Sequence, residues 1–335
     1  MGCAARLALS RERIVAFRRG VNALDRRLPW GAESLRAAAW AGLQDSSPRA
    51  ALLSLHARVE GVRADSWEHP SLVQLWGPRF SDYVIAAEDH AVFSLGRLPE
   101  AARGRLRALD TARRLREFLG GRRMPFGEAG RGMGVVPNSL RYAAPAGTVL
   151  LRWDGARQPV IWTVEAPAAD PRASRLELAR RYLHVFGPAT AAGFARWAGI
   201  GAAEARGAFA GLAGSLTPVG EGWILSADED GFRAPAGPAA PARLLPAGDA
   251  FYLLWGADRE ALVADAGRRA GLWTSRVWPG ALLVNGEVAG TWRRAGGDVT
   301  IAAWRRLSAG EREAVEREAL ALPLGLAGPV ALRWE

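Results

Sequence analysis

Lysine is missing from this sequence: all 44 basic side chains are arginines. Arginine forks onto phosphates and guanine edges but keeps its proton, so it serves poorly as a nucleophile or base. Its exclusive use rules out a P-loop lysine, a lysine Schiff base and a kinase-type lysine. Only the terminal amine stays as a remote substitute. Cysteine is nearly as scarce. With Cys3 alone, the chain cannot form an internal disulfide, a four-cysteine zinc site or a cysteine-held iron–sulfur cluster. The four histidines, His56, His69, His90 and His184, lack metal-ligand spacing such as HExxH, so no metal and no cofactor is expected. No apolar window reaches eighteen residues, so no membrane partner is expected. The apolar run after Met1 is too short for a secretory signal, and the expected location is the cytoplasm.

What is present is ordinary globular material: 335 residues, 49% hydrophobic and 23% charged. That length suggests two or three domains. The net charge of +10 favours a polyanionic partner. An arginine-rich solvated surface on a protein of GC-rich coding would give the same balance.

Helical clusters alternate with strand pairs along the chain. Ile14, Phe17, Val21 and Leu24 mark one face of a helix over 11–24, with Ser10 as its N-cap. A second helix over 33–40 leads into the loop Ala41-Gly42-Leu43-Gln44-Asp45-Ser46-Ser47. Pro48 then fits the first turn of a third helix running to about Val59. Residues 71–75 and 83–86 read as a strand pair. Three helices followed by a hairpin is the winged-helix layout. The pattern predicts a recurrence with a basic helix over 99–119 and strands over 148–153 and 159–164, and again with helices over 175–186, 188–197 and 201–212 before a hairpin around Gly220-Glu221. Residues 230–243 read as a linker. Beyond it Asn285-Gly286 marks a hairpin, with further strands over 299–304 and 330–334 and a helix over 309–320. The expected architecture is α+β: tandem winged-helix domains over 1–98, 99–172 and 173–230, then a β-rich, barrel-like part over 244–335.

Several segments together carry a family resemblance. They are Gly42-Leu43-Gln44, the run from Pro48 to Leu55, Trp76-Gly77-Pro78-Arg79, the run from Arg181 to Thr190, Leu244-Leu245-Pro246 with Asp249, and the run from Val284 to Arg293. In this order and spacing the chain resembles the AlkZ-like winged-helix DNA glycosylases over nearly its whole length. The resemblance implies tandem winged helices, a β-rich C-terminal part and a concave surface for damaged duplex DNA. It also implies excision of bulky or crosslinked alkylpurines, in repair or in self-resistance to a DNA-alkylating natural product. The family's catalytic signature is Gln-x-Gln, or Gln-x-Asp in a related branch. Here the loop reads Gln44-Asp45-Ser46, which keeps the first glutamine and departs at the third position.

The chemistry accounts for the residue types. A purine alkylated at N7 is already cationic and leaves readily, so the enzyme must place a water and stabilise an oxocarbenium-like sugar. A glutamine amide can hold water through its carbonyl while its NH2 touches sugar or phosphate. Asp45 would be the stronger base, and Ser46 can only hydrogen-bond. Alternation along an extended loop puts Gln44 and Ser46 on one side and turns Asp45 inward, or lets it cap the next helix. In the other reading the loop shifts and Asp45 is the active carboxylate. An Asp-Ser-Ser-Pro sequence is also an ordinary helix start, with Ser47 as cap. The absence of lysine favours hydrolysis over lyase chemistry.

Further candidates for DNA contact are Arg49 beside the loop, Trp76 and Arg79 on the first wing, and Arg293 and Arg294 at the exit of the Asn285-Gly286 hairpin. Each has a plain alternative: a core tryptophan, a solvated arginine, or a hairpin that closes the barrel. His56, mid-helix among leucines, reads as a satisfied histidine. The fourteen tryptophans do not gather around Gln44, which suggests an open cleft for a bulky adduct rather than a tight base pocket. The expected enzyme is a monomer that leaves an abasic site. The rival is a non-enzymatic winged-helix DNA-binding protein, kept open by the serine at position 46.

Overall fold

The computed structural model describes residues 7–45, 47, 49–155, 157–325 and 330–335. The chain forms two compact units, and it passes between them more than once. Unit one contains residues 39–48 and 70–229; unit two contains 9–38, 49–69 and 230–335.

Unit one is built on a six-stranded sheet. Its strands are β1 (Leu43–Gln44), β2 (Leu72–Trp76), β3 (Asp82–Ala86), β4 (Met124–Pro125), β5 (Val149–Arg152) and β6 (Val160–Thr163), in the order β1-β3-β2-β5-β6-β4. The two hairpins expected as wings of separate units thus share one sheet, joined where Gln74 pairs with Leu151. Strand periodicity alternates side chains between faces. Trp76, Val149, Leu151 and Ile161 fall on one face and form a core with Ala112, Leu115 and Leu119 of the Ala102–Leu119 helix.

Past the sheet come helices Pro171–Phe186, Ala191–Ala198 and Ala202–Gly211, then a hairpin of β7 (Leu216–Val219) and β8 (Gly222–Leu225). The helix starts follow local chemistry: Asp170 and Thr190 accept the N–H groups of Ala173 and Gly193. Tyr182, Phe186, Phe194 and Trp197 stack into an aromatic cluster between the first two of these helices.

Unit two holds a five-stranded sheet of β9 (Ala242–Leu245), β10 (Gly280–Val284), β11 (Glu287–Ala295), β12 (Asp298–Ala303) and β13 (Ala331–Trp334), ordered β13-β12-β11-β10-β9. Asn285 and Gly286, with φ of 51° and 83°, make the expected turn between β10 and β11. The sheet is open rather than barrel-like, because β9 and β13 remain its two edges. The Ala309–Leu320 helix covers one face and contributes Val315 and Ala319 to the core.

The helix Ala50–Arg58 in unit two is buried along its whole length, its polar Ser54, His56 and Arg58 included. It begins differently from its sequence signal. The N-cap is Arg49, in a left-handed conformation with φ 65°, and no side chain caps the helix. Pro48 lies outside the described residues. The expected linker is also partly structured. Residues Glu229–Arg233 form a helical turn, and Phe232 stacks on Phe17 with 3.7 Å between ring centroids. One buried aromatic ring is enough to pin that end.

Candidate active site

The loop read around Gln44 is a short edge strand. Gln44 pairs with Tyr83 and Leu43 with Val84, and the Asp45 N–H donates to the Asp82 carbonyl at 2.7 Å. Pairing with β3 therefore fixes the direction of successive side chains. Gln44 shares a face with Tyr83, and Asp45 points to the opposite face.

Two side chains hold the Gln44 amide oxygen. Its Oε1 accepts from Arg79 Nη2 at 2.8 Å and from the Tyr83 hydroxyl at 3.4 Å. A guanidinium has no acceptor, so Arg79 dictates that the oxygen, not the NH2, faces it. Arg79 is itself held by donation to the Trp197 carbonyl at 3.1 Å. Arg79 and Phe80 both sit at positive φ, 55° and 59°. Two such non-glycine residues in succession are strained, and strain of this kind gathers at functional sites. Arg141 secures the turn by donating to the Phe80 carbonyl at 2.6 Å.

The glycines of two sequence motifs explain how Tyr83 reaches Gln44. A Cβ at Gly42 would lie 2.8 Å from the Tyr83 ring, and one at Gly77 would lie 2.7 Å from it. Both positions must lack a side chain for the ring to lie against the backbone. Burial pushes the Tyr83 hydroxyl pKa up, against the pull of Arg79, so it stays a neutral donor. Beneath the site Arg97 is buried and donates to the carbonyls of Trp76 at 2.8 Å and Ala198 at 3.0 Å. Its burial lowers its pKa to about 9.

Asp45 is only 2% exposed, and its Oδ2 accepts from Gln74 Nε2 at 3.0 Å. Gln74 Oε1 in turn accepts from the Trp153 N–H at 2.6 Å. Asp45 thus faces inward within a hydrogen-bonded chain. Ser46 lies outside the described residues.

The other candidates divide. Arg79 joins Gln44. Trp76 does not reach the surface: it is 1% exposed and packs edge-on against Phe126, because alternation along β2 turns it to the core face. Its indole cannot lie beside DNA from there. Arg49, Arg293 and Arg294 belong to unit two. Arg49 lies 4.3 Å over the Trp67 ring. Arg294 comes within electrostatic reach of Arg49, and burial first, then that like charge, lower its pKa. Alternation along β11 sends Arg293 to the other face, where it is exposed. His56, also in unit two, is held down to about 3 by burial and by the charges of Arg27 and Arg243, so it is neutral at physiological pH. Among the described residues no group of three histidine, cysteine, aspartate or glutamate side chains could hold a metal ion, and no helix is long and apolar enough to cross a membrane.

Tyr83, Arg97 and Gln74 escaped the sequence reading. Each acts through a pairing that is distant in sequence. The glycines at 42 and 77 were the one signal present, since they mark a close approach without naming what approaches.

The profile of the family described as DNA glycosylase AlkZ-like matches residues 37–323. The chain belongs to the AlkZ-like DNA glycosylase family. The fold is also similar to that of Streptomyces sahachiroi DNA glycosylase AlkZ, with a TM-score of 0.77 over 98% of this chain and 100% of that one, at 17% sequence identity. No curated protein matches the sequence. The family match spans the Gln44 strand, the Arg79 turn, the six-stranded sheet and strands β9 to β12.

Proposed function

We propose that this protein is a monofunctional DNA glycosylase that hydrolyses the N-glycosidic bond of bulky N7-alkylguanine in duplex DNA, with Gln44 at the reacting centre. Family membership supports the DNA glycosylase activity. The observation that carries the site is the fixed Gln44 amide: an edge-strand glutamine whose oxygen is held by Arg79 and Tyr83. An amide held by two donors is pre-oriented, which is what transition-state stabilisation requires.

In the reaction, water oxygen attacks C1′ as the bond from C1′ to N9 breaks. The bonding electrons return to the purine and neutralise the N7 cation. The products are neutral alkylguanine and an abasic sugar bearing the new hydroxyl, and the water gives up one proton. Because Arg79 engages the Gln44 oxygen, the water-holding role first assigned to that oxygen passes to it only when Arg79 turns to a DNA phosphate. Arg79 would then neutralise the phosphate beside the lesion rather than oppose the developing sugar cation.

The inward hydrogen bond of Asp45 favours a positioning role for it, which leaves the second contact to Ser46 by alternation. The three helices and hairpin over 171–225 have the winged-helix order, and we read that segment as one such module. Arg49, Arg293 and Arg294 remain the candidate DNA contacts of unit two. Self-resistance to a DNA-alkylating natural product, or general repair, is the role that bulky-lesion excision would serve.

The test is release of free base from duplex DNA carrying an N7-alkylguanine, with Gln44→Ala, Asp45→Asn and Ser46→Ala. Gln44→Ala should abolish most release and Ser46→Ala should reduce it. Wild-type rates for all three variants would remove the site assignment. Duplex binding without any release by the native protein would leave the non-enzymatic reading.

A further inference from the structure

At the edge of the six-stranded sheet opposite Gln44 lies a groove of about 550 Å³. Arg123, Arg131, Arg152 and Arg157 line it, with Trp162 in its wall. Arg123 lies over that indole, 4.4 Å from the ring centroid. Glu128 and Asp154 are the acidic residues of the groove, so arginines outnumber carboxylates by four to two. Among the described residues Arg123, Arg131 and Arg157 form no salt bridge, unlike Arg113 nearby, which pairs with Asp110 and Glu117. Unpaired arginines held together around a cavity repel one another unless an anion joins them.

The sheet register relates this groove to Gln44. Paired residues on neighbouring strands share a face. Gln44 pairs with Tyr83, and Tyr83 with Leu75. The opposite face carries Gln74 and its partner Leu151, so Leu150 and Arg152 return to the Gln44 face. Their partners Trp162 and Val160 lie there too, followed by Pro125 on β4. Gln44 and the arginine groove therefore share one face of one sheet, at its two edges. Tyr83 and Leu75 between them are buried, so the polar groups of this face emerge at the edges. Six strands make five inter-strand spacings, roughly 24 Å in all. At about 3.4 Å per nucleotide, a strand of B-form DNA covers that distance in about seven nucleotides.

We infer that the Arg123–Arg131–Arg157 groove binds backbone phosphates of the duplex about seven nucleotides from the lesion, so that the sheet acts as a ruler between the chemistry and one DNA arm. The inference rests on Gln44 as the lesion site; phosphate binding by the groove does not. Planar guanidinium forks suit phosphate oxygens, and the stack of Arg123 on Trp162 keeps one fork in place.

Two measurements test this on the full chain. The first is the salt dependence of binding to an undamaged 30-base-pair duplex, comparing the native protein, Arg123→Ala/Arg131→Ala/Arg157→Ala and the control Arg113→Ala. Losing three phosphate contacts should shrink the affinity drop between 50 and 200 mM salt by about 40-fold. Arg113→Ala should behave as native. The second is single-turnover base release at subsaturating enzyme from lesion duplexes with both arms long, or with one or the other cut to about four base pairs. The native protein should slow when one particular arm is cut, and the triple variant should be slow on all and indifferent to arm length. A native salt slope in the triple variant overturns the groove. A reduced slope with unchanged arm dependence overturns the ruler. Absence of base release by the native protein takes down the Gln44 reading, and the ruler with it, while the salt slope still decides phosphate binding. Circular dichroism of the triple variant confirms that it is folded.

Discussion

Each unit contains an arginine aimed at an oxygen acceptor by a polar network, and the two networks differ in what surrounds them. In unit two Arg58 reaches both oxygens of Asp249, at 2.6 and 2.7 Å, and Ser54 donates to the same carboxylate at 2.7 Å. Asn22 Oδ1 accepts from Arg58 Nη2 at 3.2 Å. Both members of the pair are essentially shut away from solvent, at 1% and 0% side-chain exposure. In unit one Arg79 meets the neutral amide of Gln44 on an edge strand, and both side chains are partly exposed. The closed network satisfies every charge internally and can only hold structure. The open one joins an arginine to an uncharged amide at a partly exposed strand edge. In a protein whose only basic side chain of high pKa is arginine, burial and partner decide which job each arginine does.

The largest effect should come from breaking the closed network. Asp249→Ala leaves Arg58 buried without its counter-charge and should cost about 3–5 kcal/mol of stability, read by denaturant unfolding. If the loss were under about 1 kcal/mol, the network would not be the closed structural element described. Gln44→Ala should do the reverse. Base release should fall about 100-fold or more, equivalent to about 3 kcal/mol of transition-state stabilisation, with a melting temperature close to native. A large loss of stability in that variant would make the open network structural too.

A smaller effect separates the units by pH. His56 has a folded pKa of about 3, below the ordinary value near 6.5 in the unfolded chain, so the unfolded state binds the extra proton between those values. The stability this neutral histidine secures is complete above pH 6.5 and is lost as pH falls toward 3, by about 2 kcal/mol at pH 5. His56→Gln should flatten that slope in unfolding measurements. An unchanged slope would show that other groups carry it. The smallest effect should be Tyr83→Phe. It removes a 3.4 Å hydrogen bond while keeping the ring between the two glycines, and should slow base release by no more than about tenfold. A loss as large as that of Gln44→Ala would move Tyr83 from orienting the amide to the chemistry itself.

Much of the element order was legible. The helix over 102–119 carries an apolar spacing, those over 171–186 and 309–320 have capping side chains in Asp170 and Ser308, and Asn285-Gly286 makes its turn with the positive φ values such residues tolerate. The edge strand at Gln44 was not legible. Two residues are too few to show a period, and the strand exists only because β3 supplies partners nearly forty positions later. For the same reason the two hairpins of unit one looked like separate wings. Their joining at Gln74 and Leu151 is a pairing between distant segments that no local pattern encodes.

The sequence by itself determined the chemical repertoire. Without lysine, and with one cysteine, it left arginine, amide, hydroxyl and carboxylate chemistry, and its spaced motifs marked Gln44 and the family. The tertiary structure decided direction. The register with β3 turns Gln44 toward Arg79 and Tyr83 and turns Asp45 toward Gln74, and it sends Trp76 into the core. Residue type follows from local sequence, but which way a side chain points on a two-residue strand follows from hydrogen bonds to a distant partner.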